Sequence, residues 1–419
     1  MSSAISPSAW SSTHHSAWLE IDVAALAHNA RVLRSAASPG TRLGILVKAN
    51  GYGHGLEMAA RAALSGGADE LIVANVEEAM ALRGAGLDAR ILVVYPIPVE
   101  CVAEAVEAGL ELSLTGLAGG RRLLEAWSAL GVQSPEPLRV HVEVDSGMGR
   151  GGVAPEHLVD IVRLIDAAAG TELAGIWSHL ADGSDAGFSR SQVERFEAAL
   201  AQVAAAGRSL PSRHLVATEG LFAGTAPGYE MVRIGLGFYG ELGVAVEPAA
   251  ELAGLAANLR PAMAVKARPV RLEEVPAGAT VGYGAEWTAE RQSLVATLPI
   301  GYADGWTRAY WPGASALVRG QRAPLVGRVS MDSVCADVTD AGDVTLDDEF
   351  VLLGGQGHER ITATELARLR GSIINEVFCD FGPRLPRVYL DESGVVGVLR
   401  QADRVERFNL SKDARERLP

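Results

Sequence analysis

One lysine stands where chemistry is possible. Lys48 closes the apolar run LGILVK (43–48) and is followed by a glycine-rich loop, ANGYGHG (49–55). Apolar walls disfavour the charged form of an amine, and a neutral amine can condense with an aldehyde. Gly51, Gly53 and Gly55 let backbone approach a bound group closely, and Tyr52 offers a hydroxyl that could donate to a phosphate oxygen. The same pattern also describes a lysine that caps a strand and reaches into solvent, so this segment alone leaves both readings open. Polar residues recur at the ends of other apolar runs, at Asp145, His179, Thr218 and Arg233.

Those runs are LIVAN (71–75), ILVVYP (91–96), LSLTG (112–116), RVHVEVD (139–145), AGIWSHL (174–180), RHLVAT (213–218) and YEMVRIG (229–235), besides the one that ends at Lys48. Helical stretches such as EMAARAALSGG, VEEAMALRGAG, CVAEAVEAGL and SQVERFEAALAQVAAAG lie between them, several ending in glycine. Strand–helix units of roughly 30 residues, repeated about eight times, predict parallel strands. A doubly wound sheet fits that alternation too. A (β/α)8 TIM-type barrel is preferred because it gathers all the polar strand ends at one face. After about Ala250 the helical periodicity fades into short β-like runs, AVKARPVRLEEV, LVATLPI, ALVRG, APLVGRVSM and FVLLGG, with glycine and proline turns. One helix, TATELARLRG, opens with Thr362 or Thr364 as its cap. The expected organisation is a disordered tail over 1–16, the barrel over 17–252, a mostly β domain over 253–391 and a charged, loosely packed extension over 392–419.

Bulk properties narrow the class. The chain has 419 residues, 48% hydrophobic and 21% charged, which suits two globular domains. A net charge of -14 argues against nucleic acid as a partner, because phosphate binding needs clustered Lys and Arg. Cys101, Cys335 and Cys379 are scattered, without a CxxC pair or metal-ligand spacing, so no metal site is expected and the compartment reads as reducing. The polar start MSSAISPSAWSSTHHSA does not read as a signal peptide, and no apolar run reaches about 18 residues. The expectation is a cytoplasmic protein without a membrane partner.

The string VKANGYGHG (47–55) resembles the cofactor-lysine motif of alanine racemases. Further segments resemble that family's motifs in the same order: VDSGMGRGG (144–152), WSHLADGSD (177–185), MVRIGLGFYG (231–240), VGYGAEW (281–287), PIGYADGWTR (299–308), GRVSMD (327–332) and PRLPRVY (383–389). The resemblance spans roughly residues 17 to 390, and ordered motifs are far more specific than any single one. It implies that Lys48 holds pyridoxal 5'-phosphate and acts as one acid/base group. Tyr283, from the second subunit of a homodimer, is the implied other. Racemisation takes the Cα proton from one face and returns one to the other, which two opposed groups can do without moving the substrate. A phenol is a poor base at neutral pH and needs nearby positive charge; the resemblance assigns that network to His179 and Arg233.

By the same residue-wise transfer, Arg233 would donate to the cofactor's pyridine nitrogen, and a permanently charged guanidinium cannot give that nitrogen a proton. His179 would pack on the ring. Tyr52, Thr218 and the N–H groups of Gly235 and Leu236 would hold phosphate. Arg150 would reach the phenolic oxygen and the substrate side. Met331, through its backbone N–H, would hold the substrate carboxylate, with Tyr302 and Asp332 shaping the entrance.

Three positions depart from the family's pattern. Glu143 stands where many members carry a carbamylated lysine, and is expected to orient Arg150 with its own carboxylate, with a water or a backbone shift making up its shorter reach. Asn375 stands where a tyrosine usually binds phosphate and narrows the pocket, which suggests a substrate larger or more polar than alanine, serine first; preserving a hydrogen bond while alanine stays preferred is the equal alternative. Ala217 replaces an asparagine beside the phosphate-binding hydroxyl, near Arg233. The competing readings are a barrel-type decarboxylase or lyase, and a cofactor-binding relative with weak racemase activity. Arg233 argues against the first, because a decarboxylase is expected to place a carboxylate there.

Overall fold

The computed structural model describes residues 15–131, 136–400 and the short strand Val405–Glu406. Nearly all of the tail expected over 1–16, and the end of the extension, lie outside the described residues. The described residues divide into two compact units: one draws on 26–51 and 59–260, the other on 15–25, Tyr52–Met58 and those from Pro261 on.

The first unit is a closed barrel of eight parallel strands: β2 (Arg42–Leu46), β3 (Glu70–Val73), β4 (Arg90–Val93), β5 (Leu110–Leu114), β6 (Leu138–Glu143), β7 (Thr171–Trp177), β8 (Ser212–His214) and β9 (Met231–Ile234). Every expected run supplies one strand. β3 and β5 are buried at every position, as parallel strands covered on both faces must be. Ile72, Leu92 and Met231 form a dry cluster, and Gly44 makes room for it, since a Cβ there would lie 2.8 Å from Ile72 Cδ1. The helices pack by their spacing: Leu158, Ile161, Val162 and Ile165 of the helix Leu158–Ala167 are all buried, each contributing about 1.5–3 kcal/mol of apolar burial.

The second unit is a 12-stranded, mainly antiparallel sheet with short helices. Its first strand, β1 (Ala17–Asp22), pairs antiparallel with β10 (Met263–Ala267) and parallel with Arg387–Asp391. The strand that begins at Ala17 therefore belongs with the β-rich unit and not with the barrel. Local pattern could not reveal this, because hydrophobicity marks a strand and not its partner. Gly394–Leu399 pairs antiparallel with Arg387–Asp391, and Val396 and Val398 are buried. The extension expected to be loosely packed from 392 thus begins with a sheet strand whose apolar run, GVVGVL, sits between charged flanks. Thr362 is the cap of the helix Ala363–Arg370, accepting from Glu365 N–H at 3.0 Å.

The segment just after the Lys48 turn is held tightly in this unit. Arg387, fully buried, donates from Nε to the Gly53 carbonyl at 2.7 Å and from Nη2 to the Phe381 carbonyl at 2.7 Å. Gly53 has φ +79°, and a Cβ there would lie 2.2 Å from the Phe378 carbonyl oxygen, so only glycine fits. Among the described residues no helix is long and apolar enough to cross a membrane.

Asn29, on the helix Val23–Ala36, ties that helix to the barrel unit. Fully buried, it donates to the carbonyls of Phe238 (3.0 Å) and Arg260 (2.8 Å) and accepts from Arg260 N–H (2.8 Å). Asn29→Ala leaves these backbone groups unpaired, and urea unfolding is expected to show a loss of about 3 kcal/mol. A loss below about 1 kcal/mol would show that the contact carries little.

Candidate active site

Lys48 follows β2 by one residue and opens a turn wound in the left-handed sense. Ala49, Asn50, Gly51 and Tyr52 have φ of 53°, 54°, 61° and 48°. For residues with a Cβ this region costs of order 1–2 kcal/mol each, so the turn needs external support. Gly51 N–H donates to the Val47 carbonyl at 2.7 Å. Glu78, in the first turn of the helix Val76–Gly84, accepts from Ala49 N–H at 2.7 Å with one oxygen and from Ala74 N–H at 2.8 Å with the other. Asn75 caps that helix by accepting from Glu78 N–H at 2.9 Å. One carboxylate thus ties the backbone beside Lys48 to the end of β3.

Arg233, on β9, is 3% exposed. Its Nη2 donates to the Ser178 carbonyl at 2.7 Å and more weakly to the Leu215 carbonyl and His179 Nδ1, both at 3.3 Å. Its Nη1 donates to His214 Nδ1 at 2.8 Å. The guanidinium lies over the Trp177 ring, 4.7 Å from the centroid. Glu230 pairs instead with Arg213, at 2.6 and 2.9 Å. Burial lowers the proton affinity of Arg233 to about 9, with Glu143 acting in the opposite direction, and the group stays cationic at neutral pH. Its Nε–H has no protein acceptor among the described residues.

His179 is held neutral. Burial first, then the charges of Arg233, Arg150 and Lys48, push its pKa down to about 3. Arginine only donates, so the Nδ1 facing Arg233 carries a lone pair and the proton sits on Nε2. Glu143, buried at the end of β6, has its pKa raised by burial while Arg150 and Arg233 lower it. Among the described residues it closes no ion pair with Arg150; the two act on each other across a gap, as its short side chain implies. Asp145 shapes the loop that carries Arg150, accepting from the N–H groups of Gly147 and Gly149 at 3.0 Å each. Thr218 heads the helix Thr218–Ala223, and its hydroxyl accepts from Gly237 N–H at 3.2 Å, in the turn opened by Gly235 and Leu236. Ala217 stands at that helix's cap position and offers no side-chain hydrogen bond.

The β-rich unit carries the remaining expected residues. Tyr52 and Asn375 are hydrogen-bonded through their side chains, and burial pushes the Tyr52 phenol's pKa up. Tyr302 N–H donates to the Ser330 carbonyl at 3.1 Å and Ala303 N–H to the Met331 carbonyl at 3.0 Å. Gly301 permits this contact, since a Cβ would lie 2.3 Å from the Ser330 oxygen. Arg384 bridges Asp332 (2.7 Å) and buried Asp304 (3.2 Å). Tyr283 sits in a short turn whose Gly282, at φ +82°, packs against Gly327 and Arg328. Tyr283, Met331 and Tyr302 are large apolar groups left 66%, 52% and 42% exposed.

The barrel unit therefore brings Lys48, Glu143, Arg150, His179 and Arg233 into one electrostatic neighbourhood, and the β-rich unit pairs Tyr52 with Asn375 and the backbone at Tyr302 and Ala303 with that of Ser330 and Met331. Sequence reasoning missed Glu78, Trp177, His214 and Arg387. The polar residue of RHLVAT facing inward was a signal for His214, and the arginine of PRLPRVY was in view without a role.

The chain resembles known proteins along most of its length. The family profile "Alanine racemase, N-terminal domain" matches residues 21–243, and "Alanine racemase, C-terminal domain" matches residues 262–389. The alanine racemase of Symbiobacterium thermophilum is 40% identical over 379 residues, covering 90% of this chain and 97% of that protein. The alanine racemase of Desulfovibrio desulfuricans is 37% identical over 376 residues, covering 89% and 98%. The crystal structure of alanine racemase from Bacillus anthracis with bound L-Ala-P superposes with a TM-score of 0.84 at 28% identity, covering 93% of this chain and 98% of that one.

Two outcomes follow from the barrel site. Glu78→Ala removes the acceptor of the Ala49 and Ala74 amides, and hydrogen exchange there is expected to accelerate about 10- to 100-fold; unchanged protection would mean that the turn holds itself. The pKa of His179 is lowered from 6.5 to about 3 on folding, so between those values the unfolded chain binds a proton that the native protein refuses. Stability is therefore lost as pH falls through this window. Unfolding at about pH 7 and about pH 5 is expected to differ by up to about 2 kcal/mol more in the native sequence than in His179→Asn.

Proposed function

The chain belongs to the alanine racemase family and is an amino-acid racemase, and from this premise we propose that it interconverts L- and D-alanine, and serine as well, with pyridoxal 5'-phosphate held at Lys48. The observation that carries the reading is a buried guanidinium, Arg233, committed to carbonyls and neutral imidazoles with its Nε–H still open, in the same charged neighbourhood as Lys48.

The donor set fits the cofactor. A cation that keeps its proton suits an unprotonated ring nitrogen, neutral His179 suits a flat ring, and the Thr218 hydroxyl with the turn at Gly235 and Leu236 suits a phosphate. Tyr52 and Asn375 would complete the phosphate end. When bound, pyridoxal phosphate supplies the electron sink that acidifies the amino acid's Cα–H. Lys48 would move the Cα proton on one face, and Tyr283 of a second copy of the chain on the other. Arg150 would hold the phenolic-oxygen side, steered by Glu143 across the gap between them. Met331 would receive the substrate carboxylate on its N–H, with Tyr302 and Asp332 at the entrance.

The exposure of Tyr283, Tyr302 and Met331 supports a homodimer, because exposed apolar groups that would serve a site gain their burial from a partner. A site that is cationic around Lys48 and Arg233 suits a small amino acid's carboxylate. A cytoplasmic setting accords with free amino acids as substrate. Asn375 favours serine alongside alanine: its amide lies beside Tyr52, where a bulkier phenol would take up the space.

A chiral assay in deuterated water tests this. L-alanine is expected to invert with exchange of its Cα proton. Lys48→Ala should abolish turnover, and Tyr283→Phe should cost about 10²–10⁴-fold in at least one direction. Asn375→Tyr should shift the serine-to-alanine ratio of kcat/KM toward alanine by about 10–200-fold. Carbon dioxide release or carbon–carbon cleavage in place of inversion would overturn the reading.

A further inference from the structure

Behind Arg233 a chain of hydrogen bonds runs through the barrel interior to its opposite end. Arg233 Nη1 meets His214 Nδ1 at 2.8 Å, His214 Nε2 meets His141 Nδ1 at 2.9 Å, and His141 Nε2 meets Glu111 Oε2 at 2.7 Å. Arg90, half-exposed at the start of β4, closes the chain on Glu111 Oε1 at 2.6 Å. His214, His141 and Glu111 are buried.

Chemistry at the two ends gives this chain one direction. Arg233 can only donate. Glu111, although buried, keeps its carboxyl below the usual range: the hydrogen bond from His141 and the hydrogen bond and charge of Arg90 outweigh desolvation. It can therefore only accept. His141 must then carry its proton on Nε2 and present a lone pair at Nδ1. His214 must donate into that lone pair from Nε2, which leaves its own Nδ1 free to accept from the guanidinium. The reverse arrangement would set an N–H of His214 against an N–H of Arg233. A proton added to either ring would do the same. Burial and the charge of Arg233 hold His214 well below the usual histidine range, in agreement.

The barrel makes room for the chain at some expense to its packing. Gly175 of β7 faces His141, and a Cβ there would lie 2.2 Å from His141 Nδ1. The register between β6 and β7 shifts between Val140 and His141. Glu70, paired with Arg42 at 3.0 Å, lies near His141, and Arg42 near His214. Apolar side chains would fill this space at least as stably as a carboxylate and two imidazoles, so stability alone does not account for it.

We propose that Glu111 is a positioning residue for Arg233: acting through His141 and His214, it keeps a lone pair aimed at the guanidinium and so fixes how that cation faces the bound cofactor ring. The role rests on the reading of Arg233 as the ring-nitrogen partner. It reaches the site from the end of the barrel away from it, through two rings whose tautomers are set by a carboxylate that touches neither substrate nor cofactor.

Side-chain ¹⁵N–¹H spectra of histidine-labelled holoenzyme test the proposal directly. Both His141 and His214 are expected to be neutral with the proton on Nε2. Glu111→Leu removes the terminal acceptor, and Gly175→Ala displaces His141 without altering any charge. In each, the His214 signals, two links or one link away, should move to a mixture of tautomers, and the absorption band of the bound cofactor should shift. kcat should fall on the order of tenfold or more, with KM changed less. A native His214 with its proton on Nδ1, or on both nitrogens, overturns the proposal even if neither variant folds. Folded variants whose His214 signals stay in place overturn it too. A native enzyme without racemase activity would instead sink the functional reading and leave the tautomer result standing, so the two failures are distinguishable.

Discussion

Arg233 is a full positive charge placed in the barrel interior with no carboxylate in contact among the described residues, and much of the site follows from that. A buried ion without a partner is expensive, so the surroundings must act as solvent. They do so with the carbonyls of Ser178 and Leu215, the lone pairs of His179 and His214, and the face of Trp177. Each neighbour is constrained in turn. His179 and His214 can serve only as neutral rings, and both are held so by burial and by the same charge. Glu143 stands off at a distance, close enough to favour the cation and too far to neutralise it by contact. A site built on dipoles keeps its charge available to a bound group, where an ion pair would consume it.

The turn at Lys48 meets a related constraint by different means. A left-handed run of four residues, three of them with side chains, is unstable on its own. The barrel unit answers with Glu78, whose carboxylate takes the Ala49 and Ala74 amides. The β-rich unit answers a few residues later with Arg387, whose guanidinium takes the Gly53 carbonyl. The backbone at Lys48 is thus placed by what grips its neighbours.

The division of labour between the units is also chemical. The barrel contributes cations and neutral rings on rigid strand ends, a preorganised electrostatic field. The β-rich unit carries Tyr283, Tyr302 and Met331 on segments braced by close backbone contacts at Gly282 and Gly301.

Much of this was legible in the residues. Eight mostly apolar runs separated by amphipathic helices pointed to parallel strands covered on both faces, and the polar residues at their ends favoured a barrel over a doubly wound sheet. The ordered motifs around Lys48, Arg150, His179, Arg233 and Tyr283 specified the family. What remained hidden was long-range pairing. Ala17–Asp22 reads as a strand, but only folding assigns it to β10 and Arg387–Asp391, over 240 residues away in the sequence. Glu78, His141 and Glu111 look like ordinary helix or strand positions, and Arg387 like one more cation near the end of the chain. A side chain's type determines what bonds it can make, and that much the amino-acid order settles by itself. Which partner comes within 3 Å, which ring loses its proton and which charge is stripped of water depend on burial and approach in three dimensions, and these only the tertiary structure decides.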